Sequence, residues 1–340
     1  FLVAIVSWRF IEQPFRKRQL PNMSILLRYA GVLVLSFAVP VFVRLGNGFP
    51  ERHSDAVIKA VDTLREGRGS CMLVSDAYIP DTSPECYPEK SRYALIGDSH
   101  ASAAANGIVE YAKEQGTTLA QFSKSSCTPL IGYTKLRTNA KGNKYDFARQ
   151  CAKFVDQTAD IILADEHIET VFLVGYWPKK YDDQVHSISN DVIGPQTLST
   201  QAIPRGLEAL ADRLMAGGKT VVVVGDVPPL DINPMRRAFT DGFPLRRFIR
   251  DSLGLEYALN DGRVGPRALE AGFDEVAHSV RELAEKKQGL KYVDIRSQLC
   301  EGEGDLCLVI LEGRPLFFDK HHLSAFGARY VDWTPVNLQE

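Results

Sequence analysis

The sequence has no excess of charge of either sign. Forty Lys and Arg against 42 Asp and Glu leave a net charge of −2, so nothing points to nucleic acid as a partner. It has no C-x-x-C and no His-x-x-x-His spacing, which argues against a zinc site built on its cysteines; no metal is expected. It has no internal repeat and no low-complexity tract, which excludes a repeat array. No small-residue cleavage site is clear near the start, which argues against a removed signal peptide. The chain begins on Phe1 rather than Met, inside an apolar run. It reads as the C-terminal part of a longer polypeptide.

Hydropathy is unevenly spread. FLVAIV opens the chain, SWRFIEQPFRKR follows, and residues 25–45 read ILLRYAGVLVLSFAVPVFVRL. That stretch is about long enough to cross a bilayer. Its charges, Arg28 and Arg44, sit near its ends, where they can snorkel. A transmembrane helix is expected at 25–45, with a buried core helix as the alternative. Arg9, Arg16, Lys17, Arg18 and Arg28 cluster before it, and Arg44 and Arg52 come close after it. Residues 1–24 read as the end of a preceding membrane domain and a loop; the positive-inside rule puts the RKR loop in the cytoplasm and residues 46–340 outside it. All six cysteines, Cys71, Cys86, Cys127, Cys151, Cys300 and Cys307, lie beyond the expected span. An even number on the oxidising side suggests disulfides. Several pairings are open; sequence proximity favours 71–86, 127–151 and 300–307.

Residues 46–91 are rich in Gly, Pro, Ser and charge, with one helical pattern at 54–65, and read as a linker or extension. From residue 92 short apolar runs alternate with helical patterns. The runs lie at 93–97, 117–123, 170–175, 219–225 and 291–295; the helices at 100–115, 147–168, 200–217 and 265–288. Continuous apolar strands alternating with helices mean a parallel sheet covered on both faces. The fold class is α/β: a flavodoxin-like, doubly wound domain over 92–340 with a five-stranded parallel sheet. Its site should lie at the carboxyl ends of the strands. MRRAFTDGFPLRRFIR (235–250) is basic with interleaved aromatics. It reads as a solvated surface insertion, or as a rim for an anionic glycan or lipid head group.

The first long strand ends in Gly97-Asp98-Ser99-His100, and a helix with small residues follows. A serine there sits over a helix N-terminus, whose dipole and unpaired N–H groups favour the negative charge of acyl transfer. A plain helix cap would look the same. Near the other end stands Asp319-Lys320-His321-His322-Leu323-Ser324. A D-x-x-H spacing can bring carboxylate and imidazole to one side of a tight turn. Asp319 would then hold the tautomer of His322 while His322 takes the proton of Ser99. The spacing selects His322 over His321.

Together these motifs resemble the SGNH hydrolase superfamily, with a first block GDS and a last block DxxH. GDSH, the Ser-Ser-Cys-Thr-Pro run at 125–129, Gly175-Tyr176-Trp177 and DKHHLS look more narrowly like SGNH domains fused behind acyltransferase-3 membrane domains. The SWRFIEQPFRKR loop resembles the join. The resemblance implies O-acetylation of a bacterial surface glycan such as lipopolysaccharide O-antigen, with residues 46–340 in the periplasm beside the inner membrane. Acetyl-CoA would be the ultimate donor, delivered through a membrane domain of the same polypeptide; this part would bind no cofactor. A carbohydrate acetylesterase, with water as acceptor, is the alternative, and a non-catalytic glycan-binding module a third. The family's third-block Asn is missing, since the matching stretch continues to Pro178. Oxyanion donors are expected from the backbone of Ser99 and of Ser126 or Ser125, with Asn106 (taken to face solvent) and Asn190 as other polar candidates. Tyr176 and Trp177 are candidates for holding a sugar, or for packing the core.

Overall fold

The computed structural model describes residues 2–16, 22–46, 48, 55–67, 69–74, 76–137, 143–177, 185–228, 230, 232–241, 244–254, 262–264, 273–301 and 306–339. The chain divides into two compact units, Phe1–Ser54 and Asp55–Glu340.

The first unit is helical: α1 (Leu2–Ser7), a π-helical turn (Trp8–Glu12), α2 (Gln13–Arg16) and α3 (Asn22–Leu45). The helix expected over 25–45 therefore forms, and Leu33, Leu35, Phe37 and Phe42 on it are exposed. Its transmembrane character needs correction. Among the described residues no helix is long and apolar enough to cross a membrane.

The second unit opens with α4 (Asp55–Arg65), then β1 (Met72–Leu73), β2 (Tyr93–Gly97), α5 (Ser99–Glu114), β3 (Leu119–Lys124) and β4 (Tyr133–Lys135). Next come α6 (Lys144–Ala164), β5 (Thr170–Val174), β6 (Val185–Ser189), β7 (Val192–Gln196), α7 (Ser199–Ala216) and β8 (Thr220–Val224). Two amphipathic helices, α8 (Pro234–Asp241) and α9 (Pro244–Leu253), precede β9 (Arg263–Val264), α10 (Phe273–Lys286), β10 (Leu290–Val293) and α11 (Ile295–Leu299). The chain ends with β11 (Cys300–Glu301), β12 (Leu306–Leu308), β13 (Ile310–Leu311), β14 (Arg314–Pro315) and α12 (Ala325–Tyr330).

The main sheet has six strands, not five, in the order β1-β3-β2-β5-β8-β10, and every pair is parallel. The added strand is the edge strand β1, from the stretch read as a linker. Two residues carry no periodicity of their own, so only pairing reveals them: Met72 aligns with Ser123 and Leu73 with Lys124. Side chains alternate across the sheet. Leu95, Phe172 and Val222 enter one core, while Ile96, Leu173 and Val223 enter the other. That double burial explains why the strands read as continuous apolar runs. The short antiparallel groups β4-β6-β7, β11-β12-β9 and β13-β14 lay below what sequence pattern can resolve.

Three disulfides form, Cys71–Cys86, Cys127–Cys151 and Cys300–Cys307, the pairs that proximity favours. With every cysteine paired, a zinc site on thiolates is excluded.

The strand β2 lies between β3 and β5, so the chain leaves the sheet on opposite sides of it. Such a switch point opens a crevice at the carboxyl ends of the strands. Gly97 closes β2 there. A Cβ at this position would lie 1.7 Å from the Val174 carbonyl oxygen, so any side chain would push β2 and β5 apart.

Candidate active site

The turn from β2 into α5 is built by Asp98. Its side chain caps the helix, Oδ1 accepting the His100 N–H at 2.8 Å, while Oδ2 accepts the Tyr176 N–H at 3.0 Å. One buried carboxylate thus ties the start of α5 to the loop after β5. Ser99 takes the first helical position, where backbone N–H groups have no partner within the helix. It is partly exposed.

The second contributor is the turn between Phe317 and Leu323, which form an isolated antiparallel bridge. Asp319 Oδ1 accepts the backbone N–H groups of His321 at 3.0 Å and His322 at 2.9 Å. Its Oδ2 lies 2.8 Å from His322 Nδ1. The other ring nitrogen, Nε2, lies 2.9 Å from Ser99 Oγ. Ser99, His322 and Asp319 thus form one hydrogen-bonded chain across 223 residues of sequence. Burial alone raises the Asp319 carboxyl. The hydrogen bond and charge of His322, with the two backbone N–H groups, outweigh that and hold it well below the usual carboxylate range. A carboxylate that stays ionised keeps the His322 proton on Nδ1 and leaves Nε2 to accept from serine.

A second pair stands beside the first. His100 Nδ1 lies 2.8 Å from Asp226 Oδ1, just past β8. His100 Nε2 lies 3.0 Å from His321 Nδ1. His321 therefore joins His100 and not the serine. Asp226 also accepts backbone N–H groups, from Trp177 at 2.9 Å and from Val227 at 2.8 Å. Burial pushes its carboxyl up to about 8 against those donors, and burial together with nearby His322 pushes His100 down to about 3. The rings pack around the site: His100 and Tyr176 centroids are 4.6 Å apart, Tyr176 and His321 4.7 Å, and His321 and His322 4.3 Å. Sequence reasoning passed over Asp226 and His100. The signals were a carboxylate directly past a strand end and the fourth letter of GDSH.

The remaining expectations fare differently. Trp177 is fully buried, its indole N–H donating to the Val224 carbonyl at 3.0 Å. It packs the core and presents no face to a sugar. Tyr176 is buried as well and supports the histidines. The backbone N–H groups of both are taken by carboxylates, so neither serves an oxyanion. Ser126 follows β3 with φ 62°, a left-handed conformation uncommon outside glycine. Asn106 does not face solvent; its amide nitrogen is buried without a partner among the described residues. Asn190 and Asp191, with φ 47° and 63°, make the turn joining β6 to β7.

His100, His321 and His322 each offer a nitrogen, and these lie within 4.8 Å of one another. They are the described residues that could hold a metal ion. Each ring already makes hydrogen bonds, to Asp226, to its neighbour, or to Ser99 and Asp319, so they read first as a proton network.

A family model described as an SGNH domain fused to AT3 domains matches residues 65–333. No curated protein matches the sequence. Among solved structures, the periplasmic domain of a lipopolysaccharide acetyltransferase from Salmonella ser. Paratyphi A aligns at 16% identity and TM-score 0.53, over 82% of this chain and 94% of that one. A GDSL-like lipase from Bacteroides thetaiotaomicron aligns at 11% identity and TM-score 0.35, over 81% of this chain and 93% of that one.

Proposed function

The chain belongs to the family of SGNH domains fused to AT3 domains, and from that premise we propose that it transfers an acetyl group through an acyl-Ser99 intermediate to a hydroxyl of a bacterial surface glycan. The observation that carries this reading is the hydrogen-bonded chain from Ser99 Oγ to His322 Nε2 and from His322 Nδ1 to Asp319. His322 takes the serine proton as Oγ attacks the donor carbonyl and gives it to the leaving group. The Ser99 N–H at the start of α5 would donate to the developing oxyanion, with the Ser126 N–H as the second candidate donor. In the second half the acceptor hydroxyl gives its proton to His322, its oxygen attacks the acyl carbon, and Ser99 leaves with that proton.

The family's fusion supports an AT3 membrane domain as the partner that feeds the site, with acetyl-CoA as ultimate donor. It also supports a periplasmic position for the second unit, beside the inner membrane. Likeness in fold to the Salmonella domain makes lipopolysaccharide the acceptor class we favour. Transfer can outrun hydrolysis because a positioned hydroxyl reaches effective molarities of about 10⁵ M or more.

The test uses the parent polypeptide in membranes with its native glycan. Wild type should acetylate the glycan, and Ser99→Ala should abolish acetylation. Unchanged acetylation in Ser99→Ala, or net removal of acetyl groups by wild type, overturns the reading; the latter would make the protein an esterase.

A further inference from the structure

The helix α9 buries no described side chain: Leu245, Phe248, Ile249, Ser252, Leu253 and the Gly254 that follows are all exposed. Leu245 is 71% exposed, Phe248 69% and Leu253 65%. The preceding helix is different. Met235 and Ala238 of α8 are buried against Ala60 of α4, which ties α8 to the domain, whereas the described side chains of α9 stay uncovered.

The spacing is that of an amphipathic helix. Leu245, Phe248, Ile249 and Leu253 stand at i, i+3, i+4 and i+8, one stripe of a 3.6-residue repeat. Arg246, Arg247 and Arg250 fall at the remaining positions, with Asp251 the one acidic residue in PLRRFIRDSL. A free helix of ten residues is marginal in water, and most helices hold because an apolar face is packed. A strongly amphipathic, weakly hydrophobic helix with basic residues opposite Leu and Phe is the pattern that lies in a membrane interface.

We propose that α9 docks the domain onto the surface of an anionic bilayer, Leu245, Phe248, Ile249 and Leu253 entering the headgroup–acyl boundary while the arginines meet lipid phosphates. The charge favours a lipid surface over a protein groove, because three arginines beside one aspartate complement a continuous anionic plane. The proposal is independent of the acyl-transfer reading and needs no working triad. It gives the second unit a membrane contact of its own.

The experiment uses the full 340-residue chain. All native cysteines are paired, so Ser252→Cys adds a single reactive thiol in the middle of the apolar stripe, where an NBD fluorophore can be attached. Vesicles of phosphatidylglycerol and phosphatidylcholine carry a nitroxide on the acyl chains. The label should be strongly quenched in these vesicles, less in phosphatidylcholine alone, and less again at high salt. Leu245→Glu with Phe248→Glu should remove most of the quenching. Neither side chain is buried in the fold, so the variant should keep native circular dichroism. No quenching with anionic vesicles overturns the proposal, and so does undiminished quenching in the double variant. A response to soluble polygalacturonate that exceeds the response to vesicles also overturns it, making α9 a glycan rim. The readout is local to residue 252, so vesicle binding through α3 does not mimic it.

Discussion

The two His–Asp pairs use the same chemistry in different surroundings. Asp319 and His322 sit three residues apart on one turn, and the pair faces the partly exposed Ser99. Asp226 and His100 are 126 residues apart and fully enclosed. In the first pair hydrogen bonds outweigh burial, and the carboxyl is held well below its usual range. In the second pair burial wins, raising Asp226 to about 8 and lowering His100 to about 3. The difference teaches that a His–Asp contact alone does not define a catalytic base. Access to a serine hydroxyl and a carboxylate that stays charged set the open pair apart. The buried pair instead holds the loop after β5 and the ring of His321 in place.

Breaking the open pair should have the largest effect. Asp319→Asn keeps the shape of the turn but favours the wrong tautomer of His322, and acyl transfer should fall by about 10³–10⁴-fold. p-Nitrophenyl acetate turnover measures this, and stability should change far less than activity. A loss under tenfold would mean that Asp319 does not set the base.

Breaking the buried pair should show first in stability. Asp226→Ala leaves the Trp177 and Val227 N–H groups and the His100 ring without their carboxylate. At about 1–3 kcal/mol for each buried polar group, the loss should be several kcal/mol. Urea unfolding reads it directly. A variant as stable as wild type would show that Asp226 is dispensable to the loop.

The pairs should also separate by pH. The Asp226 carboxyl sits near 8 in the fold against an ordinary 3.8, and His100 near 3 against 6.5. Between pH 3.8 and 6.5 the folded pair holds its proton on Asp226 and the unfolded pair on His100, so their effects offset. Above the ordinary imidazole range the folded state binds the extra proton, and stability should fall as pH rises toward the raised value of Asp226. Asp226→Asn with His100→Gln should flatten that window. Asp319 behaves oppositely: its folded carboxyl is depressed, so its contribution is present above its ordinary range and disappears as pH falls through the folded value.

The smallest effect belongs to the contact between the pairs. His321→Gln can still hydrogen-bond His100, and turnover should drop by less than tenfold. A loss as large as that of Asp319→Asn would make the two pairs one catalytic unit and collapse the comparison.

What was legible in the sequence was local. The strands of the sheet show because each is buried on both faces and reads as an apolar run. The Asp319 and His322 pair shows because both residues lie on one turn, where spacing is geometry. The disulfides show because their partners are near in sequence. Other features depend on which distant segments meet. The edge strand β1 exists only because β3 pairs with it. Whether Trp177 holds a sugar or packs the core was open in the sequence, and its burial decides for the core. The Asp226–His100 pair needed β8 two places from β2 in the sheet, an arrangement no spacing encodes. Hydrophobic periodicity fixes an element and its buried face, whereas the order of strands follows from how those faces pack together, and that order decided which carboxylate meets which histidine.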